Sequence, residues 1–341
     1  MRSKRSKIAI ATMVGTNQGN RLQNYALQLL LENESGKSVE TLQVGYGPAW
    51  YKRIAKKLLW RVMPKKRWSC FERFNNDYIH WSRYSIESKD LANAGYALYV
   101  IGSDQVWNPT FADASDAEYL PQVPKGKKCS YAASFGVKEV VESRDHIAGL
   151  LKDIEQISVR EDAGADIVED LIGKRPLVVL DPTMLVETDV WRGVARKPDM
   201  SVPEDGYILK YVLGDNVEDD YARLVSGGDD LAIIDLKDQS LPVGPAEFVW
   251  LIQHASFVCT DSFHASVFSV LMHVPFAIFE RVSKHEDMSS RFDTFCRILD
   301  LDDRRVRDRV EALGQINWHM VDDNLEAARK KSMGYLKEIV R

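Results

Sequence analysis

The sequence predicts an α/β protein built from two Rossmann-like, doubly wound domains that face a cleft. Three observations carry that prediction. Short apolar runs alternate with stretches of helical apolar spacing, in two successive series. A polar stretch from Lys197 to Gly206, with proline and glycine in it, separates the series as a linker would. The 341 residues are 45% hydrophobic and 28% charged, which is enough apolar material for two cores. We place a first domain at 1–185, a second at 186–320, and a closing helix at 321–341 that returns to the first domain.

In the first series, Lys7–Val14 reads as a buried strand, Gly15–Asn20 as a turn and Arg21–Leu31 as a helix. Strand, glycine-bearing loop and helix form the opening unit of a Rossmann-like domain. The loop has neither the spacing of a Walker loop nor that of a Gly-x-Gly-x-x-Gly fingerprint, so no nucleotide is implied. It serves either as a plain tight turn or as a ligand contact. Val39–Val44 is the second strand. From Trp50 to Trp68 eight basic residues interleave with tryptophan, tyrosine and leucine, and no acidic residue occurs between Thr41 and Phe71. Such a basic aromatic helix suits an anionic membrane surface or a phosphate-bearing acceptor, and equally a solvated insertion packed on its own domain.

Ala97–Ile101 is a further strand, and it runs into Gly102-Ser103-Asp104-Gln105-Val106-Trp107-Asn108. That loop offers a carboxylate, two amides and an indole, equipment for gripping sugar hydroxyls and stacking a ring, although tryptophan is also common in cores. Cys129–Gly136 reads as a strand with a loop, and Gln156–Val159 as a short strand. Arg160 at its end can hold an anion or pair with Glu161 or Asp162. Leu177–Leu180 is a strand stopped by Asp181-Pro182-Thr183.

The second series runs through strands at Tyr207–Leu213 and Leu231–Leu236, with a helix at Val217–Val225 between them. A helix at Pro245–His254 and a strand at 256–260 follow. Thr260, Asp261 and Ser262 are all N-cap residues, so the chain turns directly into a helix with His264 in its first turn. Strand carboxyl ends beside helix N-termini are where α/β sheets place ligands, and a histidine there can exchange protons near neutral pH. Its plainer reading is a capped or packed residue. A strand at Pro275–Phe279 and a helix near Ser289–Phe295 come next, the latter holding Arg291, which is either an anion ligand or a surface residue. An amphipathic helix from about Asp323 to Val340 closes the chain. Two such series give a GT-B-like architecture.

Composition narrows the function classes. A net charge of −5 gives no general case for nucleic acid binding. Cys70, Cys129, Cys259 and Cys296 stand far apart, which argues against a zinc site or a disulfide framework and for a reducing cytoplasm. The apolar run behind the basic Met1–Lys7 stops at Val14, too short for a signal peptide core or a membrane span.

Several segments, taken in order, resemble the polysaccharide pyruvyltransferase family. They are Gly19–Gln28, Gly102–Asn108, Tyr131–Gly136, Ser158–Glu161, Leu180–Thr183, Gly244–Phe248 and Asp261–Ala265. The resemblance implies a GT-B-like fold and transfer of a pyruvyl group from phosphoenolpyruvate to a sugar, usually as a cyclic ketal. No metal-ligand cluster is visible in the sequence, and no cofactor is expected beyond that donor substrate. His264 corresponds to the family's histidine near the reacting centre, and Arg160 to the arginine after the Ser-Val pair. Many relatives carry an arginine two positions before that histidine, where this chain has Ser262, so Arg291 is the expected substitute.

The donor carries about three negative charges near neutral pH, so arginines and helix N-termini are expected to hold it. The expected catalytic residues are His264, Asp104 and Asp261. Arg160, Arg291 and Ser262 are expected on the donor, and Asn17, Asn20, Arg21, Gln105, Trp107 and Asn108 on the acceptor. The acceptor is expected to be a glycan or lipid-linked sugar, with 50–68 touching anionic membrane and nucleic acid playing no part. Two readings compete: a glycosyltransferase with a nucleotide-sugar donor, and a non-catalytic glycan-binding module.

Overall fold

The computed structural model describes residues 7–44, 65–214, 217–228, 230–279, 290–306 and 313–341. These residues fall into two compact units. One lies within Met1–Val62, Asn75–Leu185 and Ala328–Arg341, the other within Met63–Phe74 and Val186–Ala327.

The first unit contains β1 (Lys7–Ala11), α1 (Gln18–Ser35), β2 (Val39–Gln43), the end of α2 (Lys65–Tyr78), β3 (Trp81–Ser85), β4 (Tyr96–Ile101) and β5 (Lys128–Ser130). After these come α3 (Arg144–Lys152), β6 (Ser158–Val159), α4 (Asp162–Ile172) and β7 (Leu177–Val178). Five strands form a parallel sheet in the order β3-β2-β1-β4-β5. β6 and β7 pair with each other, and single bridges from Cys129 to Gln156 and from Ala133 to Val159 join them to that sheet. Ile8 to Ala11 are all buried, as a strand covered on both faces requires. The order reverses between β1 and β4, so the crevice above their carboxyl ends is this sheet's switch point.

Several boundaries differ from the sequence reading, and two of them have a clear local cause. α1 starts at Gln18 rather than Arg21, because Asn17 caps it by accepting from the Gly19 N–H at 2.8 Å. The run Cys129–Gly136 is strand only to Ser130, since Ala132 takes a positive φ of 50° and the chain leaves the ladder.

The second unit contains α5 (Thr188–Val194), β8 (Tyr207–Tyr211), α6 (Asp219–Ser226), β9 (Ala232–Asp235), α7 (Pro245–Gln253) and β10 (Phe257–Thr260). It continues with α8 (Phe263–Leu271), β11 (Phe276–Phe279), α9 (Ser290–Leu299), β12 (Arg305–Val306) and the start of α10 (Trp318–Ile339). The parallel order is β12-β11-β10-β8-β9, and the switch point lies between β8 and β10.

The basic stretch corrects the domain assignment. Its part up to residue 64 lies outside the described residues. The part on α2, including Lys65, Lys66, Arg67 and Trp68, belongs to the second unit and not to the first. The Cys70 thiol donates to the Pro242 carbonyl at 3.4 Å, and Arg73 pairs with Glu247 on α7 at 2.5 Å. Gly244 allows this approach, because a Cβ there would stand 2.7 Å from that of Cys70.

The closing helix also divides. Up to Ala327 it belongs to the second unit, where His273 stacks on Trp318 and bonds Asp322. From Ala328 it belongs to the first. There Ser332 accepts from the Leu180 N–H, Tyr335 donates to the Ser130 carbonyl and Arg329 donates to that of Met184.

Candidate active site

In the second unit the site residues gather where β10 becomes α8. All four residues of β10 are buried, and the Thr260 hydroxyl donates to the Tyr211 carbonyl at 2.7 Å, tying the ends of the two switch-point strands. The Asp261 carboxylate accepts the Leu213 and Gly214 N–H groups, each at 2.7 Å. With both oxygens engaged by the backbone, Asp261 clasps the switch point. Its carboxylate thereby has a structural task instead of the expected catalytic one.

Ser262 occupies the N-cap position of α8 with an extended backbone. Its carbonyl accepts the Ser266 N–H at 3.1 Å. His264 follows in the first helical turn, 6% exposed, with its ring edge-on to Phe263 at 5.5 Å. Phe263 in turn packs on Phe292 and Phe295 at 6.3 and 5.7 Å. That contact brings the start of α9, with buried Arg291, against the start of α8. Ser262, His264 and Arg291 therefore share one neighbourhood at the carboxyl edge of the second sheet.

In the first unit the expected residues divide between a structural network and a cavity. Arg160 is almost fully buried among three carboxylates: Asp181 at 2.8 Å, Asp104 at 3.2 Å and Glu161 at 3.9 Å. Burial alone pushes its guanidinium pKa down, but Asp104, Asp181 and Glu161 outweigh that and hold it above the ordinary arginine value. A cation shared by three carboxylates has no net charge left for a donor anion, so its expected donor role is corrected.

Asp104 is the network's hub. One carboxylate oxygen accepts from Arg160 and the Gln105 N–H, and the other from Asn20. Its φ of 73° is unusual for a residue other than glycine, and the surrounding bonds hold it there. With both oxygens engaged in a buried network, Asp104 holds the loop together instead of filling the expected catalytic role. Ser103 extends the network by donating to Asp181, and the Ser103 carbonyl accepts from Thr12.

Above this network lies a cavity of about 90 Å³ at the β1/β4 switch point, bounded by Thr12 to Gly15, Gln105, Asn108 and Glu118 among others. The Asn108 amide donates to Gln105 at 2.9 Å, presenting the two side chains as a pair. Gly136 makes room for that pair, because a Cβ there would lie 2.0 Å from the Gln105 oxygen. Burial pushes the Glu118 carboxyl above the ordinary glutamate value.

Of the six residues expected on the acceptor, Gln105 and Asn108 bound the cavity. The others have different duties. Asn17 caps α1, Asn20 holds Asp104, and Arg21 lies over the Trp81 ring at 5.4 Å. Trp107 is 2% exposed and stacks on Tyr119 at 5.5 Å, so it is core and stacks no sugar ring. Glu118 and Gly136 escaped the sequence reading as site residues. The glycine lay within a recognised segment, whereas nothing local marks Glu118.

A family model described as polysaccharide pyruvyl transferase matches residues 17–282, a range that includes Gln105, Asn108 and Glu118 of the cavity, Arg160 with its three carboxylates, and His264. Among solved structures, the chain is similar to a protein assigned as a UDP-N-acetylglucosamine 2-epimerase from Listeria monocytogenes. The TM-score is 0.51 at 11% identity, over 98% of this chain and 91% of that one. It is also similar to S. aureus MnaA in complex with UDP, with a TM-score of 0.50 at 11% identity over 98% and 94% of the two chains. These likenesses concern the fold alone, which is GT-B-like. No curated protein matches the sequence.

Proposed function

The chain belongs to the polysaccharide pyruvyl transferase family and is a transferase, and we propose that it moves a pyruvyl group from phosphoenolpyruvate to two hydroxyls of a sugar. The observation that carries this reading is the family match, within which His264 stands buried at the second sheet's switch point. In the proposed reaction the methylene carbon of phosphoenolpyruvate takes up a proton and the central carbon gains two bonds to sugar oxygens. The bond from that carbon to the phosphate oxygen breaks. Of the two protons lost by the hydroxyls, one balances the new methyl group and the other leaves with phosphate.

His264 is the proposed general acid that delivers the methyl proton. Ser262, at the N-terminus of α8, and Arg291 are the proposed donor ligands, since N–H groups and a guanidinium both favour an anion. Gln105 and Asn108 grip the acceptor. Glu118, whose carboxyl burial pushes above the ordinary glutamate value, is the proposed base for a hydroxyl proton. We read the acceptor as a lipid-linked precursor of a surface or exopolysaccharide, met at the cytoplasmic membrane face. The basic aromatic stretch 50–68 supports that reading, and no helix among the described residues is long and apolar enough to cross a membrane. Binding to anionic liposomes at low salt tests it, and absence of binding would reject it.

The central test measures phosphate release from phosphoenolpyruvate in the presence of sugar diols. Replacing His264 with Gln should slow release by roughly 10²- to 10⁴-fold. Activity within a few-fold of the original protein would remove His264 from the chemistry. Thermal stabilisation by UDP or GDP but not by phosphoenolpyruvate would instead identify a nucleotide-sugar glycosyltransferase.

A further inference from the structure

One buried cation takes no part in the groups described so far. Arg67 sits in the first turn of α2 and is only 7% exposed. Its part of the helix belongs to the second unit, where Cys70 and Arg73 pin it to Pro242 and Glu247. Pro242 lies in the segment that joins the carboxyl end of β9 to α7. The charged or ionisable neighbours of Arg67 are Tyr211 at the carboxyl end of β8, Cys70, and Asp238 just past β9. Arg67 thus lies at the same sheet edge as the β8/β10 switch point.

No hydrogen bond or ion pair satisfies the Arg67 guanidinium among the described residues, and its Nη1 is enclosed with no acceptor. Burial pushes its pKa below the ordinary value, and Tyr211, Cys70 and Asp238 offset this only in part. Arg160 shows the contrast: more deeply buried still, it has three carboxylates. A buried arginine with no carboxylate in contact among the described residues and only partial compensation from its neighbours is costly to the fold unless an anion completes it. The fork of a guanidinium fits phosphate oxygens best.

We propose that Arg67 anchors a phosphate site at the carboxyl edge of the second sheet, and that its ligand is a phosphate monoester dianion. Combined with the reaction proposed above, on which this part rests, that ligand is the phosphate of phosphoenolpyruvate. The site joins Arg67 to the donor-binding group formed by Ser262 and Arg291, although it reaches the sheet edge from a distant stretch of the chain.

The test is calorimetric titration of the full chain with inorganic phosphate, phosphoenolpyruvate and a hexose 1-phosphate, in the original protein and in Arg67→Met and Arg67→Lys. Loss of a charge-assisted contact predicts phosphate binding about ten- to hundred-fold weaker in Arg67→Met, with Arg67→Lys intermediate. Without ligand, Arg67→Met should melt at the same temperature or higher, because an uncompensated charge is gone. A hexose 1-phosphate binding more tightly than phosphoenolpyruvate would assign the site to the acceptor's phosphate. Equal phosphate affinity in Arg67→Met, or no phosphate binding by the original protein, would overturn the site. A marked drop in the ligand-free melting temperature of both variants would also overturn it. Pyruvyl transfer that persists at full rate in Arg67→Met rejects this site and leaves the proposed function standing. Arg67-dependent phosphate binding without any pyruvyl transfer does the reverse.

Discussion

Replacing Arg160 with Met tests the assignment of that residue to the fold of the first unit. The substitution leaves Asp104, Asp181 and Glu161 buried around an uncharged thioether in place of the guanidinium that pairs with all three. Removing one partner of a buried ion pair costs about 3–5 kcal/mol. At roughly 2–4 °C per kcal/mol for a domain of this size, the melting temperature should fall by roughly 6–20 °C near neutral pH. The pH dependence has a definite sign. In the variant each stranded carboxylate has a folded pKa raised above its unfolded value of about 4. The resulting penalty is full above the raised pKa and is lost as pH falls through it, so the gap to the original protein narrows on acidification. Thermal melts followed by circular dichroism between neutral and mildly acidic pH measure this. Adding Asp104→Asn and Asp181→Asn should recover part of the loss, because the penalties belong to one network. An unchanged melting temperature, or a gap that does not vary with pH, would refute the argument and return Arg160 to the list of possible donor ligands.

Two further outcomes follow from the geometry. Gly136→Ala places a methyl group 2.0 Å from the Gln105 oxygen at a φ of +67°. It should cost about 1–2 kcal/mol and raise the acceptor KM while leaving the donor KM alone; equal effects on both would separate the Gln105–Asn108 pair from the acceptor. Burial pushes the thiols of Cys129, Cys259 and Cys296 up to about 12. All three should therefore resist iodoacetamide in the native protein and react once it is unfolded, as mass spectrometry would show; rapid native labelling of any one would contradict its burial.

Sequence alone determined the α/β class, the two series, and the position of His264 just after a strand, in the first turn of the helix that begins past Ser262. These features are local. A parallel strand covered on both faces must be apolar along nearly its whole length, as Ile8–Ala11 and Phe257–Cys259 are. A helix start needs a capping residue within a few positions of the turn. β3 escaped notice because Trp-Ser-Arg-Tyr-Ser lacks the apolar run of a doubly covered strand. Only the tertiary structure decided what the charged residues do. Arg160 meets a carboxylate 56 positions away in Asp104 and another 21 positions away in Asp181, which converts an expected donor ligand into a structural cation. Lys65, Lys66 and Arg67 look alike in a basic run, yet the fold exposes the two lysines and buries the arginine. The number and sign of the groups surrounding a charge are set by chain segments far apart in sequence. Periodicity records which face of a segment is buried, and it carries no information about what that face will meet.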